Sequence, residues 1–414
     1  MKGDKAFLLF PGIILLGFVL RAYGLSSQGL SGDDRAVAVS AVNYMESGNL
    51  GPTMWNHPNL RNILVYLSMM IFGGGIWGLK IVSLALGTLS VLLMGLTTDR
   101  IFRNKEAALM AAFFLAIDPL HIDYSRQAVH EIHMMSFALA GILFAFKFRD
   151  DRKPVLLILS GVFFGLGIAS KWYVAFPLAV TYIFLVYGIL KDSRTGNNSK
   201  LSMGFFISSA LIILPFIVYL LTFIPWFGRG YGISEWFSLQ NTMYIETKTH
   251  TGYNPYGFEL DTKAYLWFIR PVAYADFVFS EGSPRVLLGF SNPLVWLLTL
   301  PATIYIFYLW RKEKKAEYFF VFCLFWITYL PFLMTSRPIW AHTAFSVLPF
   351  SFMAVSYSIL KMFSGKNYRR TVIAIYLALV ISLSIPLYLL STGKGLEINY
   401  LRPIVELYRP LHER

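Results

Sequence analysis

The chain has 414 residues, 56% hydrophobic and 14% charged, with a mean hydropathy of +0.56. A soluble domain carries about 25% charged residues, so this composition excludes an ordinary soluble enzyme and fits a membrane protein with many spans. The net charge of +13 sits in short clusters between apolar runs rather than on one face, which is the pattern of topology signals and anionic-lipid contacts and not of a nucleic-acid binder.

Lipid admits only helices or closed barrels, and these runs are too long for barrel strands. The expected fold is therefore an all-α integral membrane protein, one domain over residues 1–414. Cys323 is the single cysteine and lies in an apolar run, so neither a disulfide framework nor a cysteine metal site is expected.

The first apolar run, 6–22, contains Arg21 and Ala22, is followed by Tyr23, and has no small-residue cleavage site; it reads as a retained helix rather than a signal peptide. The loop over 23–76 then opens with Ser31-Gly32-Asp33-Asp34-Arg35, ahead of an amphipathic helical pattern that Gly48 ends. In the plain reading Asp33 caps that helix and both acids complement its dipole. In the chemical reading a partly desolvated carboxylate at a membrane boundary is suited to general-base work. Trp55-Asn56-His57-Pro58-Asn59-Leu60-Arg61 leads into the run 60–72, which stops at Gly73-Gly74-Gly75. That run is too short to span and reads as an interfacial or re-entrant helix. A histidine beside proline is ordinarily a structural hydrogen-bonder, and His57 with Asp33 makes only a weak pair of metal ligands.

Ten further spans follow at about 77–99, 106–120, 128–147, 154–170, 173–190, 203–224, 291–310, 317–334, 339–361 and 371–391, eleven in all. With the N-terminus inside, the inner segments hold 20 of the 36 Lys and Arg against 8 of the 23 Asp and Glu, a net of +12 from 20 less 8. This agrees with the positive-inside rule; counting 60–72 as a span would break the segregation. The outer side then holds the 23–76 loop, the Asp118–Glu131 turn, Lys171-Trp172, the 225–290 loop, the stretch 335–342 and the C-terminal tail.

Those outer segments carry the polar clusters. Asp118, His121, Asp123, Ser125, Arg126, His130, Glu131 and His133 fall within sixteen residues, with Arg126, His130 and His133 spaced for one helical face. Such a face can snorkel into headgroups, but the density of ionisable groups at a bundle edge marks a functional candidate. Lys171 with Trp172 reads either as an aromatic-belt pair or as a phosphate contact; Gly161 and Gly165 before it read as helix packing only. Arg337, Trp340 and His342 lie in the last outer loop. There is no Gly-x-Gly-x-x-Gly, no P-loop and no Asp-x-Asp of the kind that holds a metal–diphosphate.

The order of these motifs resembles the protein O-mannosyltransferases, glycosyltransferase family 39 of the GT-C superfamily, and more distantly the aminoarabinose transferase of lipid A. Asp33-Asp34 stand where the family has Asp-Glu, and His57-Pro58-Asn59-Leu60-Arg61 partly match its His-Pro-Pro-Leu-Gly-Lys. Ser125-Arg126 with Glu131, and Gly165 to Lys171-Trp172, match its next two motifs. Trp267 to Arg270-Pro271, Ser291-Asn292-Pro293 to Trp296, and Ser336-Arg337 to His342 with Leu348-Pro349-Phe350 match its later segments. The 225–290 loop is too short for the inserted MIR domain of eukaryotic members, so a MIR-less prokaryotic-type member is expected.

The resemblance implies a GT-C fold of about 11 transmembrane helices with juxtamembrane helices in the first outer loop. It further implies an inverting glycosyltransferase at the outer face of the cell membrane, N-terminus cytoplasmic. The enzyme would move a sugar, mannose first, from a polyprenyl-phosphate donor to a protein Ser or Thr hydroxyl. Asp33 would be the base with Asp34 in support, and Arg126, Lys171, Arg337 and Arg270 would face the donor phosphate. His57, Arg61, His130, Glu131, Trp172, Trp340 and His342 would complete the site. No metal or other cofactor is expected, although His57, His130 and Glu131 are the groups that would hold a divalent ion. Two alternatives stand: transfer to lipid A or a cell-wall glycan, and a transporter or flippase for a lipid-linked anion.

Overall fold

The computed structural model describes residues 8–49, 57–192, 196–249, 263–269, 273–280, 283–335, 339, 341–392 and 396–397. Arg270, Arg337 and Trp340 fall outside these, so the roles expected of them have no structural counterpart here.

Helices dominate because long apolar runs in lipid satisfy their own backbone polar groups only as helices. Eight are long and apolar enough to cross a membrane, and a ninth span arises if Lys105–Ile117 and Pro119–Ser125, bent 62° apart, are counted together. Pro154–Ser170 and Leu348–Met362 are shorter apolar helices at the positions of the two remaining expected spans. Leu348–Met362 begins later than expected, because Ala341–Ser346 ahead of it forms a separate 3-10 segment. The chain is an integral membrane protein whose core is formed largely by the Ile76–Phe102, Lys105–Ile117, His130–Asp151 and Leu348–Met362 helices.

The first outer loop does contain two helices, Gly32–Ser47 and Leu60–Phe72. The capping of the first differs from expectation. Ser31, not Asp33, is the N-cap: its hydroxyl accepts from the Asp34 amide while the Asp34 carboxylate accepts from the Ser31 amide, both at 3.0 Å. This reciprocal capping box satisfies two otherwise orphan donors. The helix ends at Gly48, whose φ of +72° is left-handed and favours glycine.

The loop over 225–290 holds structure that an all-helical reading does not supply. Ile233–Thr249 is a helix, and strands β1 (Ala273–Ser280) and β2 (Ser283–Phe290) form an antiparallel hairpin that β3 (Leu396–Glu397) extends on the β2 side.

One helix is irregular in a way that matters to the site. Between Asn197–Ser208 and Leu214–Leu221 the backbone widens into a π-helical turn at Ser209–Ile213. Such bulges recur at functional sites. Gly161 and Gly165 seat it: a Cβ at Gly161 would lie 1.9 Å from the Ala210 carbonyl oxygen, and one at Gly165 would lie 2.6 Å from Val218 Cβ. The two glycines thus act as the expected small-residue packing face. Gly161→Ala is therefore expected to lower stability by about 1–3 kcal/mol, measured by thermal unfolding in detergent. Gly188→Ala, where a Cβ meets nothing within 4 Å, serves as the neutral control.

Candidate active site

The helix cap places the two acids differently. Asp34 is fully buried and saturated: Oδ1 accepts from the Ala128 amide at 2.9 Å, while Oδ2 accepts from the Ser31 amide and pairs with Lys80 Nζ at 3.0 Å. Lys80, itself fully buried, also donates to the Gly29 carbonyl at 2.8 Å. One carboxylate thus ties the first outer helix to the Ile76–Phe102 span and to the turn before His130. Asp33 is one residue earlier, turned about 100° around the helix, and is exposed. Asp34 is a staple, and Asp33 is the acid presented outward.

Arg61, from the first turn of Leu60–Phe72, lies within electrostatic reach of Asp33. Its guanidinium is 2% exposed and donates through Nε and Nη2 to Asn62 Oδ1 at 3.3 and 2.9 Å. Burial pulls it down to about 10, against the opposing fields of Asp33, Glu131 and Asp34. Arg61 is therefore a cation held in low dielectric with acids around it, where its charge acts strongly.

Lys171 and Glu131 form a buried ion pair. Lys171 stands at the break between Pro154–Ser170 and the 3-10 turn Trp172–Val174, while Glu131 lies in the first turn of His130–Asp151. His342 is close enough to act electrostatically on Glu131. The rings of His57 and His130 meet edge to face, 4.5 Å between centroids. His133 is oriented by its Nδ1 to the Val129 carbonyl at 2.9 Å, which makes Nδ1 the protonated nitrogen. Asp33, His57, Arg61, His130, Glu131, Lys171 and His342 thus come from five separate stretches of chain into one cluster.

Arg126 does not join them as expected. The helix Pro119–Ser125 ends at Arg126 and a new one starts at His130, so the i, i+4, i+7 face is broken. The break leaves the Ala128 amide free of the helical ladder, and Asp34 receives it. Arg126 turns to the first span instead. Its Nε donates to Gln28 Oε1 at 2.7 Å and its Nη1 to the carbonyls of Arg21 and Tyr23 at 2.8 and 2.6 Å, satisfying helix-end acceptors. Only Nη2 has no partner among the described residues.

One group was not singled out by sequence: Lys80, which had a visible signal as a lone cation at the head of an apolar run. Asn292, named in the sequence only as part of the Ser291-Asn292-Pro293 segment, caps Pro293–Trp296 through the Leu294 amide and donates to the Val380 carbonyl and Ser384 hydroxyl of the last span. Asp118 completes this knot, accepting from the Asn292 amide and the Ser291 hydroxyl at 3.0 and 2.9 Å.

Beside the cluster lies a mostly apolar cavity of about 420 Å³, lined by Ile168, Trp172, Tyr182, Leu211, Phe216 and Tyr219 among others, a volume typical of ligand sites. At its wall Trp172 Nε1 donates to the Tyr219 hydroxyl at 3.1 Å, which donates to Gln240 Oε1 at 2.5 Å. Leu211, on the π-helical turn, lines the same cavity. Among the described residues, no group of three or more His, Cys, Asp or Glu is arranged to hold a metal ion.

Comparison with known proteins adds three findings. A family model described as dolichyl-phosphate-mannose-protein mannosyltransferase matches residues 56–223. A polyprenol-phosphate-mannose–protein mannosyltransferase of Mycobacterium tuberculosis is 24% identical over 85% of this chain and 80% of its own. Among solved structures, the Saccharomyces cerevisiae protein O-mannosyltransferase complex bound to the sugar donor superposes with a TM-score of 0.77, at 12% identity, over 95% of this chain and 90% of the other. ArnT from Cupriavidus metallidurans bound to undecaprenyl phosphate gives 0.59 at 13% identity, over 98% and 73%.

Proposed function

We propose that the chain is a protein O-mannosyltransferase of the GT-C type, a reading supported by its similarity to the mannosyltransferases above, and that it transfers mannose from a polyprenyl-phosphate donor to protein Ser or Thr hydroxyls. The same reading places the reaction at the outer membrane face. Glycosyltransferase membership sets the transporter alternative aside.

The observation that carries the proposal is the contrast between neighbours. Asp33 is exposed on a helix that the saturated Asp34 holds fixed, within electrostatic reach of the buried cation Arg61. In the reaction, Asp33 takes the proton of the acceptor hydroxyl, and the oxygen attacks the anomeric carbon from the side opposite the lipid phosphate. The bond from that carbon to the phosphate oxygen breaks with inversion, and the lipid phosphate departs with the electron pair. Charge grows on that oxygen, and preorganised cations lower the barrier where charge develops. Arg61 and Lys171, both buried, supply them; Glu131 keeps Lys171 in place beforehand. The apolar cavity beside Trp172 suits the isoprenoid chain, which would bring the phosphate toward Lys171.

The test is transfer by the purified full chain in lipid nanodiscs, with radiolabelled polyprenyl-phosphate mannose and Ser/Thr-rich peptides. Label is expected on the peptide, released by alkaline β-elimination. Label reaching only glycan or lipid acceptors would overturn the protein-acceptor assignment.

A further inference from the structure

His130 holds an unusual position. It is 3% exposed, and neither of its ring nitrogens has a hydrogen-bond partner among the described residues. Burying such groups unpartnered costs stability, and buried polar atoms are nearly always paired. Its neighbours do not relieve it: the His57 ring approaches edge to face, and Arg61, Lys171 and His133 lie close by. Lys171 is committed to Glu131 and His133 to the Val129 carbonyl.

Resting on the donor assigned above, we propose that His130 reads a ring hydroxyl of the transferred sugar and so is a specificity determinant of the donor. With two cations beside it, the uncharged imidazole is the form this position accommodates, and that form offers one donor and one acceptor. A fully ionised phosphate only accepts, so it would leave the acceptor nitrogen unserved; the charge it needs is already present in Arg61 and Lys171. Sugar hydroxyls both give and take a hydrogen bond, which matches what His130 has to offer. The residue also sits one position before Glu131, the partner of Lys171, so a sugar on His130 stays next to the phosphate on Lys171.

The experiment compares binding of bare polyprenyl phosphate, polyprenyl-phosphate mannose and its mono-deoxy analogues to wild type, His130→Leu and His130→Gln. Wild type is expected to bind the mannosylated lipid about tenfold more tightly than the analogue lacking the hydroxyl that His130 reads. His130→Leu should lose that discrimination while binding bare polyprenyl phosphate as wild type does, which also shows it folded. His130→Gln, with a donor and an acceptor of its own, should recover part of the discrimination and decides the matter should the Leu variant fail to fold. Equal affinity of wild type for all the glycosylated lipids, or an unchanged deoxy pattern in both variants, would overturn the inference alone. Failure of wild type to bind even bare polyprenyl phosphate would remove the donor assignment and the inference with it.

Discussion

Asp33→Asn is expected to lower the rate of transfer by about a thousandfold while leaving the protein folded and its donor affinity within twofold of wild type. The side chain is exposed, and the amide keeps its shape, so the substitution removes proton acceptance and little else. Asp34→Asn should behave in the opposite sense, because Asp34 holds three partners and is sealed from solvent. It should lose stability as well as activity. Single-turnover transfer with preloaded donor, run beside thermal unfolding, separates the two. An Asp33→Asn protein as fast as wild type would remove Asp33 from the chemistry.

The second large effect is structural. The Lys80–Asp34 pair is 1% and 0% exposed at its two side chains. Removing one partner of a buried pair leaves an uncompensated charge and costs about 3–5 kcal/mol. Lys80→Met is therefore expected to destabilise by that amount. Lys80→Met combined with Asp34→Asn should recover a large part of it, since no bare charge then remains. Equilibrium or thermal unfolding of the two variants in one detergent makes the comparison. Equal destabilisation in single and double variants would mean the lysine matters for packing and not for its charge.

The sequence and the structure agree where the governing interaction is local. Each expected span contains a helix because apolar length against lipid decides that outcome alone, and Leu60–Phe72 is short for the same reason. Disagreement begins where a tertiary partner decides. Arg126 and His130 have helical spacing, but the chain breaks between them because the Ala128 amide has a better acceptor in Asp34, 94 residues away. The role of Asp33 as helix cap was read from position; the cap passed to Ser31 because Asp34 could answer it reciprocally. The β1–β2 hairpin went unseen because its polar and aromatic stretch carries no clean alternation, and its outer edge is completed by β3 more than a hundred residues downstream. Within the candidate site, residue types and rough location were legible. Which acid is exposed, which cation is already paired and which histidine lacks partners were not, since each depends on what another segment brings.

The π-helical turn at Ser209–Ile213 has a consequence for phase. One surplus residue per turn sets everything after it back by about 100° around the axis relative to an unbroken α-helix. Tyr219 and Phe223 lie beyond that offset, and it is from there that Tyr219 reaches Trp172 on one side and Gln240 on the other. Phe223 likewise meets Trp236 from the offset side, 5.8 Å between ring centroids. The bulge thus works as an angular setting: upstream residues pack toward the Ala175–Lys191 helix, where Ser208 meets the Tyr182 hydroxyl, while residues in and beyond it seat on Gly161 and Gly165 and present Tyr219 and Phe223 to the cavity and the Ile233–Thr249 helix. A single helix serves two neighbours whose directions a regular α-helix of the same sequence length would not reconcile.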